Sequence, residues 1–239
     1  MKIRDDPDFE TYHRTWSEAY QSLNYSDSLS SRLTRHSHVV LERPFSSAAQ
    51  FDRVLEVGCG GGQHYPFVRH RFVEYVMSDS SDEMLRIAKE RVGGPGISFQ
   101  KANAQDLACF GDGSFDRLIA SHVLEHLERP HVVLREWARV VKPGGVVSIL
   151  LPSDPGFAWR LGRNLGPRRS AERVGLAYDY WMAREHINPI NALVELIKYY
   201  FDDLQQEWWP FRIPSMDLNL FYACHARLKE NGQDRAQAT

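Results

Sequence analysis

Three cysteines in 239 residues, Cys59, Cys109 and Cys224, are too few and too scattered for a disulfide framework, and no CxxC pair occurs. Reduced thiols in a cytoplasmic protein are the expectation. Charge of one sign is also lacking. The 29 Lys and Arg stand against 31 Asp and Glu, so bulk electrostatics predicts neither a nucleic-acid nor a membrane partner. No apolar run approaches the ~20 residues that a bilayer demands; "VVSILLP" is among the longest. The opening "MKIRDDPDFE" is charged and acidic, unlike a secretory signal. Internal repeats are absent. Hydrophobic residues at 43% and charged residues at 25% are enough for an ordinary buried core, and the length suits one α/β domain with a small cap.

What is present is alternation. "RVLEVG", "YVMSD", "ISFQKAN", "FDRLIAS" and "GVVSILLP" are short apolar runs, which predict strands buried on both faces. Helical patterns lie between them. "SSDEMLRIAKERV" opens with serine and acids, a helix start. In "RPHVVLREWARVVKPGG", Pro130 stands near the start. Val133, Leu134, Trp137, Ala138 and Val141 follow at helical spacing, and Lys142, Pro143 and two glycines predict the stop. "NPINALVELIKYYF" predicts a late helix, and "LQQEWWPF" and "LNLFYACHARL" two last strands. The fold class is therefore α/β, a doubly wound, mostly parallel, Rossmann-like sheet of seven strands. Residues 1–50 form an N-terminal helical cap with breaks near Asn24 and Pro44. Residues 51–151 are expected to form the Rossmann-like core, which the motifs below mark as cofactor-binding, and 152–187 an insertion after the fifth strand, which they mark as acceptor-binding. Residues 188–228 return to the core, and 229–239 are a polar tail.

"VLEVGCGGGQH" sets Gly58, Gly60, Gly61 and Gly62 directly after the first strand. Residues without side chains let a ligand approach the backbone. Asp79 closes the second strand about twenty residues on, where an acid commonly grips ribose hydroxyls. Together they point to a nucleoside-containing cofactor. The dinucleotide fingerprint GxGxxG, counted from Gly58, requires a glycine where Gln63 stands, which argues against an NAD-linked oxidoreductase.

"VLEVGCGGG", "MSDSSDEMLRIAKER", "ANAQDL", "GSFDRLIASHVLEHL" and "LREWARVVKPGG" follow one another over residues 50–152. In this order they resemble the class I S-adenosylmethionine-dependent methyltransferases, above all the small-molecule branch that includes quinone-biosynthesis enzymes. The resemblance implies the Rossmann-like methyltransferase sheet, S-adenosylmethionine as cofactor and S-adenosylhomocysteine as product. It also implies a small-molecule or sugar- or lipid-linked acceptor, with oxygen favoured as the acceptor atom. Glu56 and the loop of Gly58, Cys59, Gly60 and Gly62 would hold the methionine end. Asp79 would bind both ribose hydroxyls, with Ser80 and Met84 near the adenine and Asn103 and Ala104 on its other side. Asn103 stands where the family usually has aspartate; its amide oxygen can still accept from the adenine amino group. Ser121 and His122 would lie beside the methionine and the sulfonium. The same residues also allow a regulatory or partner subunit that binds the cofactor without transferring it.

His122 is the first candidate for a general base, because histidine titrates near neutral pH, and His186 is the second. "SHVLEHLERP" also holds His122, Glu125 and His126 in the spacing of the inverted zinc-protease motif. A zinc hydrolase would leave the glycine loop and Asp79 unexplained, so no metal is expected. His126 then orients the loop, and Glu125 faces solvent or caps a helix. Tyr12, Trp16 and Tyr20 lie at helical spacing; Tyr12 is the candidate to close over the site, where an aromatic ring could meet the sulfonium. No Asn/Asp-Pro-Pro-Tyr/Phe follows the fourth strand, the signature of many enzymes that methylate amide or base nitrogens. In the arginine-rich insertion, Arg168 and Arg169 are the expected contacts to an anionic acceptor and Tyr178 a stacking surface.

Overall fold

Seven strands form one sheet, and their register brings the chemistry-bearing ends level. The structure, a computed structural model, describes residues 29–173 and 175–228. The strands are β1 (Gln50–Val57), β2 (Arg71–Asp79), β3 (Ile97–Lys101), β4 (Phe115–Ser121), β5 (Val141–Pro152), β6 (Asp202–Trp209) and β7 (Phe221–Arg227). Their order is β3-β2-β1-β4-β5-β7-β6. β1 to β5 run parallel, and β7 runs antiparallel to both β5 and β6. Val57 pairs with Ser78 on one side and Ala120 on the other, so β1, β2 and β4 end together. The strand order reverses between β1 and β4, and the crevice outside the carboxyl ends at such a switch point is where α/β sheets bind ligands.

Both faces of the sheet are covered. The helices are α1 (Leu29–Glu42), α2 (Asp82–Arg91), α3 (Pro130–Val140), α4 (Phe157–Leu165), α5 (Pro167–Arg173), α6 (Tyr178–Glu185) and α7 (Ile190–Tyr200). Alternation along β1 turns Leu55 and Val57 toward α3 and α7, and Val54 toward α1 and α2. The helical spacing predicted for α3 buries Val133, Leu134, Trp137 and Val140. Trp137 is fully buried, and its ring N–H donates to the Ala104 carbonyl at 2.9 Å, as a buried indole requires. The serine predicted to start α2 is Ser81, whose hydroxyl accepts from the Met84 N–H at 3.3 Å. One boundary differs. Val141, expected as the last helical apolar residue, instead pairs with Phe115 as the first residue of β5. A register shift between Phe115 and Arg117 then lets the strand carry Pro143 and its two glycines. α4, α5 and α6 fill the stretch between β5 and α7. Tyr12, Trp16 and Tyr20 lie outside the described residues. No helix among the described residues is long and apolar enough to cross a membrane.

A polar seam crosses the face under α1. Glu42 and Arg117 are both fully buried, and the guanidinium donates to the two carboxylate oxygens at 3.0 and 2.6 Å. The Arg117 Nε donates to Ser148 Oγ at 3.0 Å, and Ser148 Oγ lies 3.0 Å from His225 Nδ1. Arg117 also sits over the Phe45 ring at 3.9 Å. Three histidines near this seam are held neutral. Burial first, and then the Arg117 charge, push His70 down to about 4 and His225 down to about 3. Burial and the neighbouring His64 push His38 well below its usual value. The consequence for stability has a definite sign. The unfolded chain takes up these protons near pH 6.5 while the folded chain does not. Stability is therefore complete above that pH and falls as the pH drops toward 4, by ~1.4 kcal/mol per pH unit for each histidine. Urea midpoints measured from pH 7.5 to 5 should fall steeply below 6.5; a flat profile would mean these rings are solvated.

Candidate active site

The loop after β1 is shaped by backbone that only glycine adopts readily. Gly58, Gly60 and Gly62 have φ of +62°, +52° and +77°. A side chain at Gly58 would meet Val123 Cγ2 at 2.6 Å. Asp79, at the end of β2, ties the loop down. One of its oxygens accepts from the Gly60 N–H and the other from the Ser81 N–H, both at 2.9 Å. Burial raises the Asp79 carboxyl above its usual value, and these backbone donors oppose the rise. Each oxygen keeps lone pairs for a further donor.

These groups open on a cavity of about 760 Å³, within the range of small-molecule sites. Gly58, Cys59 and Gly60 line it, as do Glu56, Asp79, Ser80 and Met84. Glu56 is 2% exposed and receives one side-chain hydrogen bond, from the Tyr75 hydroxyl at 2.7 Å. Burial raises its pKa, against the pull of His64 and of Tyr75. A buried carboxylate with one donor suits a ligand ammonium group.

Ser121 and His122 also line the cavity, at the end of β4. His122 has φ of +56°, an unusual conformation for a non-glycine residue. Its N–H donates to the Leu150 carbonyl at 2.9 Å, and its Nε2 lies 3.4 Å from Ser37 Oγ. Beside it, His38 Nδ1 lies 3.2 Å from Ser121 Oγ and 3.1 Å from His64 Nδ1, and His64 Nε2 lies 3.1 Å from Glu42 Oε1. The buried seam under α1 thus reaches the cavity wall. Sequence reasoning missed His38, His64 and Glu42. The one local signal was that His38 and Glu42 are four residues apart on a helix.

The remaining expected residues are divided between the cavity wall and its surroundings. Asn103 and Ala104 do not line the cavity. Asn103 Oδ1 accepts from the Gln105 N–H at 2.9 Å, closing its own turn, and Ala104 is held against α3 by Trp137. Gly62 packs the loop on α2, where a side chain would meet Val92 Cγ2 at 2.8 Å. Glu125, expected to face solvent or cap a helix, is 2% exposed. Arg168 and Arg169 are not on the cavity wall. Arg168 pairs with Glu172 at 2.9 Å and Asp179 at 2.8 Å, and Arg169 is exposed. Tyr178 and His186 do line the cavity. The arginine that reaches it is Arg163, 5.6 Å from the Tyr178 ring and 3.4 Å from Asp154 Oδ2, with its Nε buried and unpaired. Trp159 and Trp181 give this side flat apolar walls.

Comparison with known proteins agrees with this geometry. Residues 55–149 match the family described as a methyltransferase domain. The chain is 36% identical over 97 residues to the ubiquinone biosynthesis O-methyltransferase of Dechloromonas aromatica (strain RCB), covering 40% of this chain and 42% of that protein. It is 32% identical over 100 residues to methyltransferase AacuQ of Aspergillus aculeatus (strain ATCC 16872 / CBS 172.66 / WB 5094), covering 42% of this chain and 32% of that protein. The chain therefore spans less than half the length of these curated relatives. A Thermotoga maritima structure described as an S-adenosylmethionine-dependent methyltransferase, possible histamine N-methyltransferase, superposes with a TM-score of 0.59 at 18% identity. It covers 92% of this chain and 98% of that one, a likeness of fold.

Proposed function

We propose that this chain, a member of the class I S-adenosylmethionine-dependent methyltransferase family, methylates a small acceptor held between the end of β4 and helices α4 and α6, with oxygen the favoured acceptor atom. One observation carries the reading: Asp79 is tied to the glycine loop through the Gly60 N–H at 2.9 Å, and both open on the cavity that also holds His122. When bound, the cofactor supplies a methyl group on a cationic sulfur. Glu56 holds the ammonium end and Asp79 the ribose hydroxyls, while Met84 packs near the base. Ser121 and His122 stand where the methionine end and the acceptor meet. The His122 imidazole takes the acceptor proton as a general base. Trp159 and Trp181 exclude water and orient a flat acceptor. A subunit that binds the cofactor without transferring it is the alternative. Calorimetry with S-adenosylhomocysteine tests the cofactor site, and transfer of labelled methyl from S-adenosylmethionine into an extract tests the reaction. Binding without any labelled product would favour the alternative; absence of both would remove the reading.

Arg163, rather than Arg168 and Arg169, is the guanidinium that meets an anionic group on the acceptor. Arg163→Gln should raise the acceptor KM about tenfold or more, since a shielded charged hydrogen bond is lost. Cofactor affinity should not change. Charge reversal at Arg168 and Arg169 should move the acceptor KM less than about twofold, because their partners lie at the surface. Steady-state kinetics on the labelled acceptor checks both; the opposite ranking would return the contact to the surface arginines.

A further inference from the structure

On the acceptor side of the cavity, Glu125, His126 and His186 stand together. Each offers one ligand atom, and these atoms lie within 4.8 Å of one another. All three line the cavity. They come from two places, the short 3-10 turn Leu124–His126 after β4 and the C-terminal cap of α6. The "HVLEH" spacing would pair His122 with His126 across one helical turn. The segment is not an α-helix, and the His122 ring lies between Ser37 Oγ, 3.4 Å from its Nε2, and Glu125 Oε1, 3.7 Å from its Nδ1. His186 takes the third place instead.

Hydrogen bonding fixes what His126 offers. Its Nδ1 lies 2.9 Å from the Glu185 carbonyl oxygen, which only accepts. The proton is therefore on Nδ1, and Nε2 is turned to Glu125 Oε1 at 3.8 Å. The other oxygen, Glu125 Oε2, is buried with no hydrogen-bond partner. A carboxylate oxygen buried this way calls for a donor or a cation. The side chains behind the imidazoles suit a metal ion. His186 Nδ1 is 2.9 Å from Asp154 Oδ2, close but not aligned as a hydrogen bond, and Arg163 approaches the same oxygen at 3.4 Å. A carbonyl behind one imidazole and a carboxylate behind the other is the usual way metal-bound histidines are oriented.

We propose that Glu125, His126 and His186 bind one divalent transition-metal ion, with zinc the best match to two imidazoles and a carboxylate. Such a donor set leaves coordination positions open, here toward the cavity, where water or an oxygen of the acceptor fills them. That role at the acceptor rests on the methyltransferase reading; the ion itself does not.

Chelator-treated protein titrated with zinc chloride in a calorimeter, without cofactor, tests the site. One ion per chain is expected. Affinity should fall by about 100-fold or more in His186→Ala and in Glu125→Gln, and should hold in Cys109→Ser. No uptake overturns the proposal. Uptake that survives His186→Ala, or that is lost in Cys109→Ser, overturns it as well. S-adenosylhomocysteine titrated into the same samples reports folding and the cofactor site separately. Normal binding there with no zinc uptake would remove the metal and leave the methyltransferase reading intact.

Discussion

Glu42→Ala is expected to lower the unfolding free energy by about 3–5 kcal/mol, the range for removing one partner of a buried ion pair. The partner left behind is Arg117, fully buried on β4, with Ser148, the faces of Phe45 and Phe51 and the neutral rings of His70 and His225 near it and no other carboxylate paired to it among the described residues. Burial alone would raise the Glu42 carboxyl. The Arg117 charge and the His64 hydrogen bond outweigh it and hold the group well below the usual carboxylate range. The pair is thus ionised at every pH at which the protein is handled. Arginine cannot shed its proton to escape, so the penalty of an uncompensated charge falls on the folded state. Urea unfolding at pH 7.5 measures it. The paired variant Glu42→Leu with Arg117→Met should recover most of the loss, since two apolar side chains of similar volume remove both charges. A loss under about 1 kcal/mol in Glu42→Ala would mean that water reaches the pair.

The same pair shows where the sequence stops being legible. Glu42 and Arg117 are 75 residues apart, and Arg117 sits in "FDRLIAS", a run otherwise typical of a buried strand. Nothing local says whether such an arginine snorkels out or is met by a carboxylate from another element. What was legible was local. The apolar runs became β1 to β7, Ser81 caps α2 by its own hydroxyl, and Gly58 and Gly60 form the loop directly after β1, where they also take a positive φ. Asp79 was placed by its distance from the loop along one βαβ unit, a spacing that geometry keeps nearly constant. Less legible were the surroundings of residues with a competing local bond or a distant partner. Asn103 closes its own turn through the Gln105 N–H, which only coordinates reveal. Among the insertion's arginines, composition could not separate Arg163 from Arg168; they sit on successive helices, α4 and α5, and the break at Gly166 leaves one at the cavity and the other beside Glu172 and Asp179. His126 and His186 are 60 positions apart in the numbering, and the chain path that joins them at 5.0 Å between ring centres is set by how α6 docks, a tertiary choice.

Asp79→Ala should weaken S-adenosylhomocysteine binding by about 3 kcal/mol or more, over 100-fold in Kd. Two losses combine. A ribose with two hydroxyls donates to one carboxylate, and each hydrogen bond to a charged acceptor contributes ~1.5–3 kcal/mol when shielded from water. The second loss lies in the protein. Asp79 accepts the Gly60 N–H through one oxygen and the Ser81 N–H through the other. Without it the glycine loop loses its tie to β2, and the empty cavity wall is no longer preorganised. Asp79→Asn separates the two contributions. Its amide oxygen can hold one backbone donor, but its NH₂ faces the other donor and offers no charge. Its affinity should fall between wild type and Asp79→Ala. Both variants should keep most of their thermal stability, since the Asp79 carboxyl is already raised by burial and its charge is only partly compensated by backbone donors. Calorimetric titration with S-adenosylhomocysteine, alongside a melting curve for each protein, reads all of this. Wild-type affinity in a folded Asp79→Ala variant would take the ribose away from Asp79, and with it the assignment of this end of the cavity to the nucleoside.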